Sequence, residues 1–369
     1  MRPAASSALF QPPAAGPARG AFIPAPRPGP WKRVKRGCLH AFQAGLEATG
    51  LASLYVRLRK VTGTTVLSFH SVAERAQAPW IDPRYHMDPG LFERQMKFLA
   101  ARRNPVSLTR LMEALEAGRD LPPRTVVVTL DDGYLDHLTV AGPILAKYRI
   151  PATFFVATGY VARAESQWVD RLFSAFRTRT RNDFQWDGRR FDLRRADQER
   201  EAFRGMEAVL PRATHPERIA HLQRVDEQLR PEEGAPRLTL DWNGVRNLQK
   251  LSPDFEIGGH TRDHIDLSAN GGDEARREIS GCSDDLRREL GEAPRHFCYP
   301  YERWTPAVQE QVRNRGFRSG LGAGPEFLVT HQSDRYALPR LDPAARRSTL
   351  AFVTSGAYPG LSRALIGHA

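Results

Sequence analysis

Short apolar runs rich in β-branched residues alternate along this chain with longer stretches in which apolar positions recur every three or four residues. The first run, "TTVLSFH" (64–70), predicts a strand. "DPGLFERQMKFLAARR" (88–103) predicts a helix, with Asp88 as N-cap and Pro89 in the first helical position. "TVVVTL" (125–130) is continuously apolar and β-branched, the pattern of a parallel strand covered on both faces. A helix over "AGPILAKYR" and a strand over "ATFFVA" (152–157) follow.

Residues 160–240 break this rhythm. They are charged, rich in arginine and largely helical in pattern, with Trp168 and Trp186 as isolated large aromatics, and they read as an insertion on the sheet scaffold. The alternation then resumes: helix "LDWNGVRNLQKL", strand "FEIGG", helix "DEARREISGCSDDLRREL", strand "HFCYP", helix "TPAVQEQVRNRG", strand "FRSGLG". Repeated βα units predict an α/β fold, a parallel sheet with helices packed outside it.

Composition changes this picture mainly at the N-terminus. The net charge of +12 is uneven: residues 1–60 hold ten Lys and Arg against Glu47 alone, so the remaining 309 residues are nearly balanced. A basic arm suits an anionic membrane surface, nucleic acid or simple solubility; with so little net charge on the body, no nucleic-acid partner is expected. Residues 1–30, rich in Pro and Ala, are expected to be disordered. Residues 31–62 form a basic amphipathic helical segment, read as packing on the domain, with peripheral membrane contact through 31–60 as the alternative. No signal-type apolar region or spanning stretch is visible, which points to a cytoplasmic protein or one held at the inner membrane face. Cys38, Cys282 and Cys298 are widely spaced and odd in number, so no disulfide framework is expected.

Two stretches carry chemistry. "LDDGYLDH" (130–137) sets Asp131 and Asp132 at the end of an apolar strand, and "EIGGHTRDHIDLS" (256–268) sets His260 and His264 four residues apart after another. If that second segment turns helical, both imidazoles point at one atom. Two histidines and a carboxylate make a common catalytic metal set with an open position for water, and C-terminal strand ends are where such groups gather. A metal can lower the pKa of its water to about 7, and a neighbouring carboxylate can then take the proton during attack on a carbonyl. The two aspartates thereby acquire separate jobs, provided the chain turns at Gly133.

"TLDDGY", "HTRDH" and "FCYPYE", in that order, resemble the first three motifs of the polysaccharide deacetylases, the carbohydrate esterase family 4 or NodB-homology group. With the strand pattern, the likeness spans about residues 64–345. It implies a deformed (β/α) barrel of about seven parallel strands over 63–345, carrying the helical insertion at about 160–240, with 346–369 left as a tail. It also implies a divalent metal, usually zinc, bound by Asp132, His260 and His264, with Asp131 as general base. Tyr301 matches the tyrosine whose backbone N–H meets the tetrahedral oxyanion, a donor worth about 3–4 kcal/mol.

The departures from the family pattern are specific. Cys298 stands where many members carry the arginine that orients the base, and Glu302 replaces a glycine; Arg340 in "YALPRLD" resembles an arginine that reaches the base from a later strand. There is no late histidine motif for the general acid. His70 in "LSFHSV" resembles the early histidine of the branch that includes poly-N-acetylglucosamine deacetylases and is preferred as the acid, with His331 the alternative. The function implied is removal of an acetyl group from an N-acetylated glycan or glycolipid, of the kind used in exopolysaccharide biosynthesis. Hydrolysis of a non-carbohydrate amide, or a lapsed glycan- or membrane-binding role, are the competing readings; intact Asp131, Asp132, His260 and His264 weigh against lapse.

Overall fold

A computed structural model describes residues 45–357 apart from 47–48, 60, 75, 77–79, 233–235, 325 and 343–346. The expected N-terminal arm, most of the basic segment, Cys38 and the last twelve residues lie outside the described residues.

Seven strands make the scaffold, and only these are numbered: β1 Thr64–Phe69, β2 Thr125–Leu130, β3 Ala152–Val156, β4 Phe255–Gly259, β5 His296–Cys298, β6 Ser319–Gly322 and β7 Leu338–Pro339. They pair in that order, each parallel to the next, and Asn104–Pro105 adds a short parallel edge on β2. Beyond β7, Leu341 exchanges backbone hydrogen bonds with Val66 and Ser68 of β1 at 2.9 and 3.0 Å, which brings the sheet round to a nearly closed barrel. The α/β barrel of seven parallel strands is therefore as expected.

Along β2 every residue is buried. Val126, Val128 and Leu130 pack into the main core, whereas Val127 belongs to a second cluster with Val66, Phe155, Leu321 and Leu338. Burial on both faces is what the unbroken Val-rich run requires of a parallel strand.

The helices are α1 Leu51–Leu58, α2 Pro89–Arg102, α3 Leu108–Glu116, α4 Gly142–Lys147, α5 Thr158–Arg163, α6 Trp168–Arg177, α7 Ala196–Val209, α8 His215–Leu229, α9 Trp242–Lys250, α10 Asp273–Leu290, α11 Pro306–Asn314 and α12 Arg347–Val353. Local chemistry sets their starts: Asp88 accepts from Leu91 N at 2.8 Å to cap α2 with Pro89 behind it, and Asp241 caps α9 through Gly244 N. In α1, Ala52 and Val56 pack with Phe352 and Ala357, while Leu51, Leu54 and Leu58 are each at least half exposed.

The insertion builds a core of its own around Trp168, Leu172, Phe173, Phe176, Phe203 and Met206. It is not all helical. Asp183–Trp186 and Arg189–Asp192 form an antiparallel hairpin turned at Asp187 and Gly188, both at positive φ. The Asp-Gly pair is the local signal for that turn, hidden by the surrounding charge. Among the described residues no helix is long and apolar enough to cross a membrane.

Candidate active site

All seven residues singled out from the motifs line one cleft of about 520 Å³: His70, Asp131, Asp132, His260, His264, Tyr301 and Arg340. Each follows, or closely follows, the C-terminal end of a barrel strand, where side chains from distant segments meet. His331 is elsewhere; it lies partly exposed in a loop, 3.0 Å from Asp120 Oδ1.

The adjacent aspartates diverge because the backbone reverses at once after β2. Asp132 itself takes a left-handed conformation (φ 76°) and Gly133 follows at 70°. A side chain at 133 would also crowd Val156 at 3.2 Å. The turn thus begins one residue earlier than glycine alone would predict, at a non-glycine position that costs conformational energy.

The histidine pair also converges by a different route from the one expected. Residues 260–264 are not helical; Thr261 (φ 63°) and His264 (φ 50°) are both left-handed. Hydrogen bonds stabilise this loop. Glu278 accepts from the amides of Arg262 and Asp263 at 2.8 Å, Thr261 Oγ1 accepts from His264 N at 2.9 Å, and Gly159 N donates to Arg262 O. Gly159 is required there, since a Cβ would lie 2.8 Å from the backbone oxygen of Arg262.

Hydrogen bonding determines where each imidazole carries its proton. His260 Nδ1 lies 2.8 Å from the Cys298 carbonyl, which can only accept, so Nδ1 is the protonated nitrogen and Nε2 keeps its lone pair. Tyr301 Oη spends its one proton on His264 O and receives Trp168 Nε1–H at 3.0 Å; His264 Nδ1, 3.1 Å away, is then a donor to the same oxygen. Both Nε2 atoms face Asp132 Oδ1, at 3.6 Å from His260 and 3.2 Å from His264.

Burial lowers the pKa of His260 to about 4 and, with His260 and Arg218 nearby, holds His264 well below the ordinary imidazole range. Both rings are neutral at pH 7. Burial and the charge of Asp131 raise Asp132 to about 8, and its Oδ1 is buried without a hydrogen-bond donor among the described residues. Three ligand atoms within 4.8 Å, two of them neutral imidazole nitrogens and one an orphaned carboxylate oxygen, form a donor set that fits a divalent cation.

Asp131 has a different environment. Arg340 Nη1 donates to it at 2.8 Å, Cys298 Sγ lies 3.7 Å away, and both members of the ion pair are buried. Burial alone would raise its pKa, but the charges of Arg340, His260 and His70 outweigh that and hold it below the usual carboxylate value. A buried carboxylate kept ionised can accept a proton. Arg340 also lies 3.3 Å from Glu302, the residue in place of the motif's glycine.

On the wall at the end of β1, the strand paired with β2, the His70 ring packs tilted against Tyr85 with centroids 5.4 Å apart. Burial lowers its pKa, while Asp131 and Asp342 favour its charged form. The second half of "LDDGYLDH" anchors this wall: His137 Nε2 is 3.0 Å from His70 O, and Asp136 accepts from Ser71 Oγ at 2.6 Å and Val72 N at 3.0 Å.

Several cleft residues gave little sequence signal. Arg84 and Tyr85 reach the cleft from the turn after Asp82, and Arg84 pairs with both Asp82 and Glu207 of α7. Trp168, Glu207 and Arg212 come from the insertion, which thus walls the cleft. The isolated Trp168 was the one available hint.

The family model described as polysaccharide deacetylase matches residues 118–190 and 212–320. The poly-beta-1,6-N-acetyl-D-glucosamine N-deacetylase of Escherichia coli (strain K12) is 34% identical over 95 residues, 25% of this chain and only 13% of that protein. Among solved structures, the Streptococcus pyogenes deacetylase PplD, in complex with acetate, superposes with a TM-score of 0.52 at 16% identity, covering 79% of this chain and 97% of its own. IcaB from Ammonifex degensii gives the same TM-score at 19% identity, covering 80% and 97%. At these identities the two structures speak to the fold.

Proposed function

This chain belongs to the polysaccharide deacetylase family, and from that premise we propose that it hydrolyses the N-acetyl group of an amino sugar in a glycan or glycolipid. The observation that carries the reading is the juxtaposition, in one cleft, of the Asp132, His260 and His264 donor set with an Asp131 carboxylate held by Arg340.

A divalent cation held by Asp132, His260 and His264 supplies Lewis acidity, lowering the pKa of water and polarising a carbonyl, and zinc suits a donor set of two histidines and one carboxylate. Asp131 accepts a proton from the attacking water, and Arg340 keeps its carboxylate ionised and aimed. The backbone N–H of Tyr301 meets the negative charge that develops on the acetyl oxygen, while its side chain holds His264. When the C–N bond breaks, His70 gives a proton to the departing nitrogen, leaving acetate and a free amine. Burial opposes the charged form that this acid needs; Asp131 and Asp342 offset part of that cost.

The partial match to a poly-N-acetylglucosamine deacetylase supports N-acetylglucosamine polymers as the first substrates to test. The exposed leucines of α1, beside exposed Arg57 and Arg59, support contact with an anionic membrane surface.

The deciding experiment measures acetate release from N-acetylglucosamine oligomers, peptidoglycan fragments and lipid-linked amino sugars by the zinc-loaded protein. Release from one class assigns the substrate. Absence of release from all three, with the ion bound, refutes the reading.

A further inference from the structure

Arg218, on α8 of the insertion, is fully buried. Among the described residues its guanidinium makes no ion pair within 4 Å of a carboxylate, and Glu278 acts on it only from farther away. It donates instead to neutral oxygens: Nε to Leu210 O at 3.0 Å, Nη1 to Asp263 O at 2.5 Å and Tyr160 Oη at 3.4 Å, and Nη2 to Ala213 O and His264 O at 3.3 Å each. Five N–H groups thus meet five acceptors.

A guanidinium cannot shed its proton to escape such a site, so burying it without a counter-ion opposes folding unless every donor is satisfied. Elsewhere in the insertion, Arg179 has the ordinary arrangement, paired with Glu199 at 2.6 Å. Two of Arg218's acceptors are the carbonyls of Asp263 and His264, in the loop where His264 is left-handed. Its guanidinium also lies 5.4 Å over the ring of Trp168, whose Nε1–H donates to Tyr301 Oη, the oxygen that receives His264 Nδ1–H. One cation therefore holds the backbone of His264 directly and supports the side chain that orients its ring.

We propose that Arg218 is a positioning residue for His264, so that the insertion sets the geometry of the metal-binding loop as well as walling the cleft. This rests on reading His264 as a ligand. A lysine keeps the charge but cannot direct five N–H groups along these lines; methionine keeps the bulk and abandons the acceptors.

The test uses the full chain and reads zinc affinity by chelator competition and the visible absorption of the cobalt-substituted protein. The variants are Arg218→Lys, Arg218→Met, Trp168→Phe and, as a control that disturbs the insertion elsewhere, Arg179→Met. Loss of a group that orients a ligand typically weakens metal affinity by about 10- to 100-fold. That loss is expected for both Arg218 variants, with an altered cobalt spectrum. Arg179→Met should bind zinc as the parent does while melting earlier. Trp168→Phe removes the donor to Tyr301 and shrinks the ring beneath Arg218 while leaving the hydrogen bonds of Arg218 in place, and it should shift the spectrum even where an Arg218 variant does not fold. Parental affinity and spectrum in the Arg218 and Trp168 variants, or an equal loss in Arg179→Met, would overturn the proposal. Failure of the parent protein itself to bind zinc or cobalt would instead remove the ligand reading, and this inference with it.

Discussion

Replacing Asp131 with asparagine separates catalysis from metal binding more cleanly than any other single change. The side chain keeps its size in a site only 1% exposed and loses its charge, so it can no longer take a proton from water. General-base catalysis is worth roughly 10²–10⁴ in rate, or about 3–5 kcal/mol of barrier. Stability should also fall. Breaking a buried ion pair costs about 3–5 kcal/mol, and Arg340 here retains Glu302 at 3.3 Å and Thr129 Oγ1 at 3.4 Å, which places the cost near the lower end, about 3 kcal/mol. Folded domains have about 5–15 kcal/mol of stability, so the variant should remain folded at 25 °C. The assay pairs acetate release at saturating substrate with metal content by elemental analysis and a denaturant titration. Asp131→Asn should hold its ion and lose most turnover, whereas Asp132→Ala should lose the ion as well. Turnover near the parent's in Asp131→Asn would refute the base assignment. Loss of its metal would show that the two carboxylates are not divided as argued.

Three further outcomes are expected. His70→Ala should lower turnover by about 10²–10⁴ while His331→Ala, altered in a loop beside Asp120, should behave as the parent; the reverse order would move the general acid to another residue. Burial lowers the pKa of His296 to about 3, and its ring bonds Ser319 Oγ and Thr109 Oγ1. Between pH 6.5 and 3 the unfolded chain therefore binds a proton that the native state does not, so stability is full above pH 6.5 and declines as pH falls, by up to about 5 kcal/mol. Urea midpoints at pH 7 and pH 4 should differ less in His296→Gln than in the parent, and an unchanged difference would refute this. Finally, the protein should float with phosphatidylserine-containing vesicles and not with neutral ones, and joint substitution of Leu51, Leu54 and Leu58 by glutamine should abolish flotation; indifference to either change would count against membrane contact.

Much of the scaffold was legible because its signals are short-ranged. Thr125 to Thr129 form a continuous β-branched run whatever lies elsewhere, and Asp88 with Pro89 marks a helix start within four residues. The helix α3 and the hairpin at Asp187–Gly188 were not anticipated, although Ser107 caps α3 and Leu108, Leu111, Met112 and Leu115 recur along it at helical spacing; the hairpin sits in a charged stretch. The motif residues were identifiable by chemical type and order, and the cleft gathers all seven of them.

The sequence by itself determined the alternation of strands and helices and which carboxylates and imidazoles stand at strand ends, since periodicity and side-chain chemistry are local properties. Only the tertiary structure decided how those groups face one another. Left-handed backbone at Asp132, Thr261 and His264 aims the three donors, the Cys298 carbonyl and Tyr301 hydroxyl settle where each imidazole keeps its proton, and Arg340 reaches Asp131 from 209 residues away. His70 is likewise separated from His331 by which of them the closed barrel brings to the cleft. These are consequences of barrel closure and of an insertion folding over its rim, which bring together segments that carry no local record of one another.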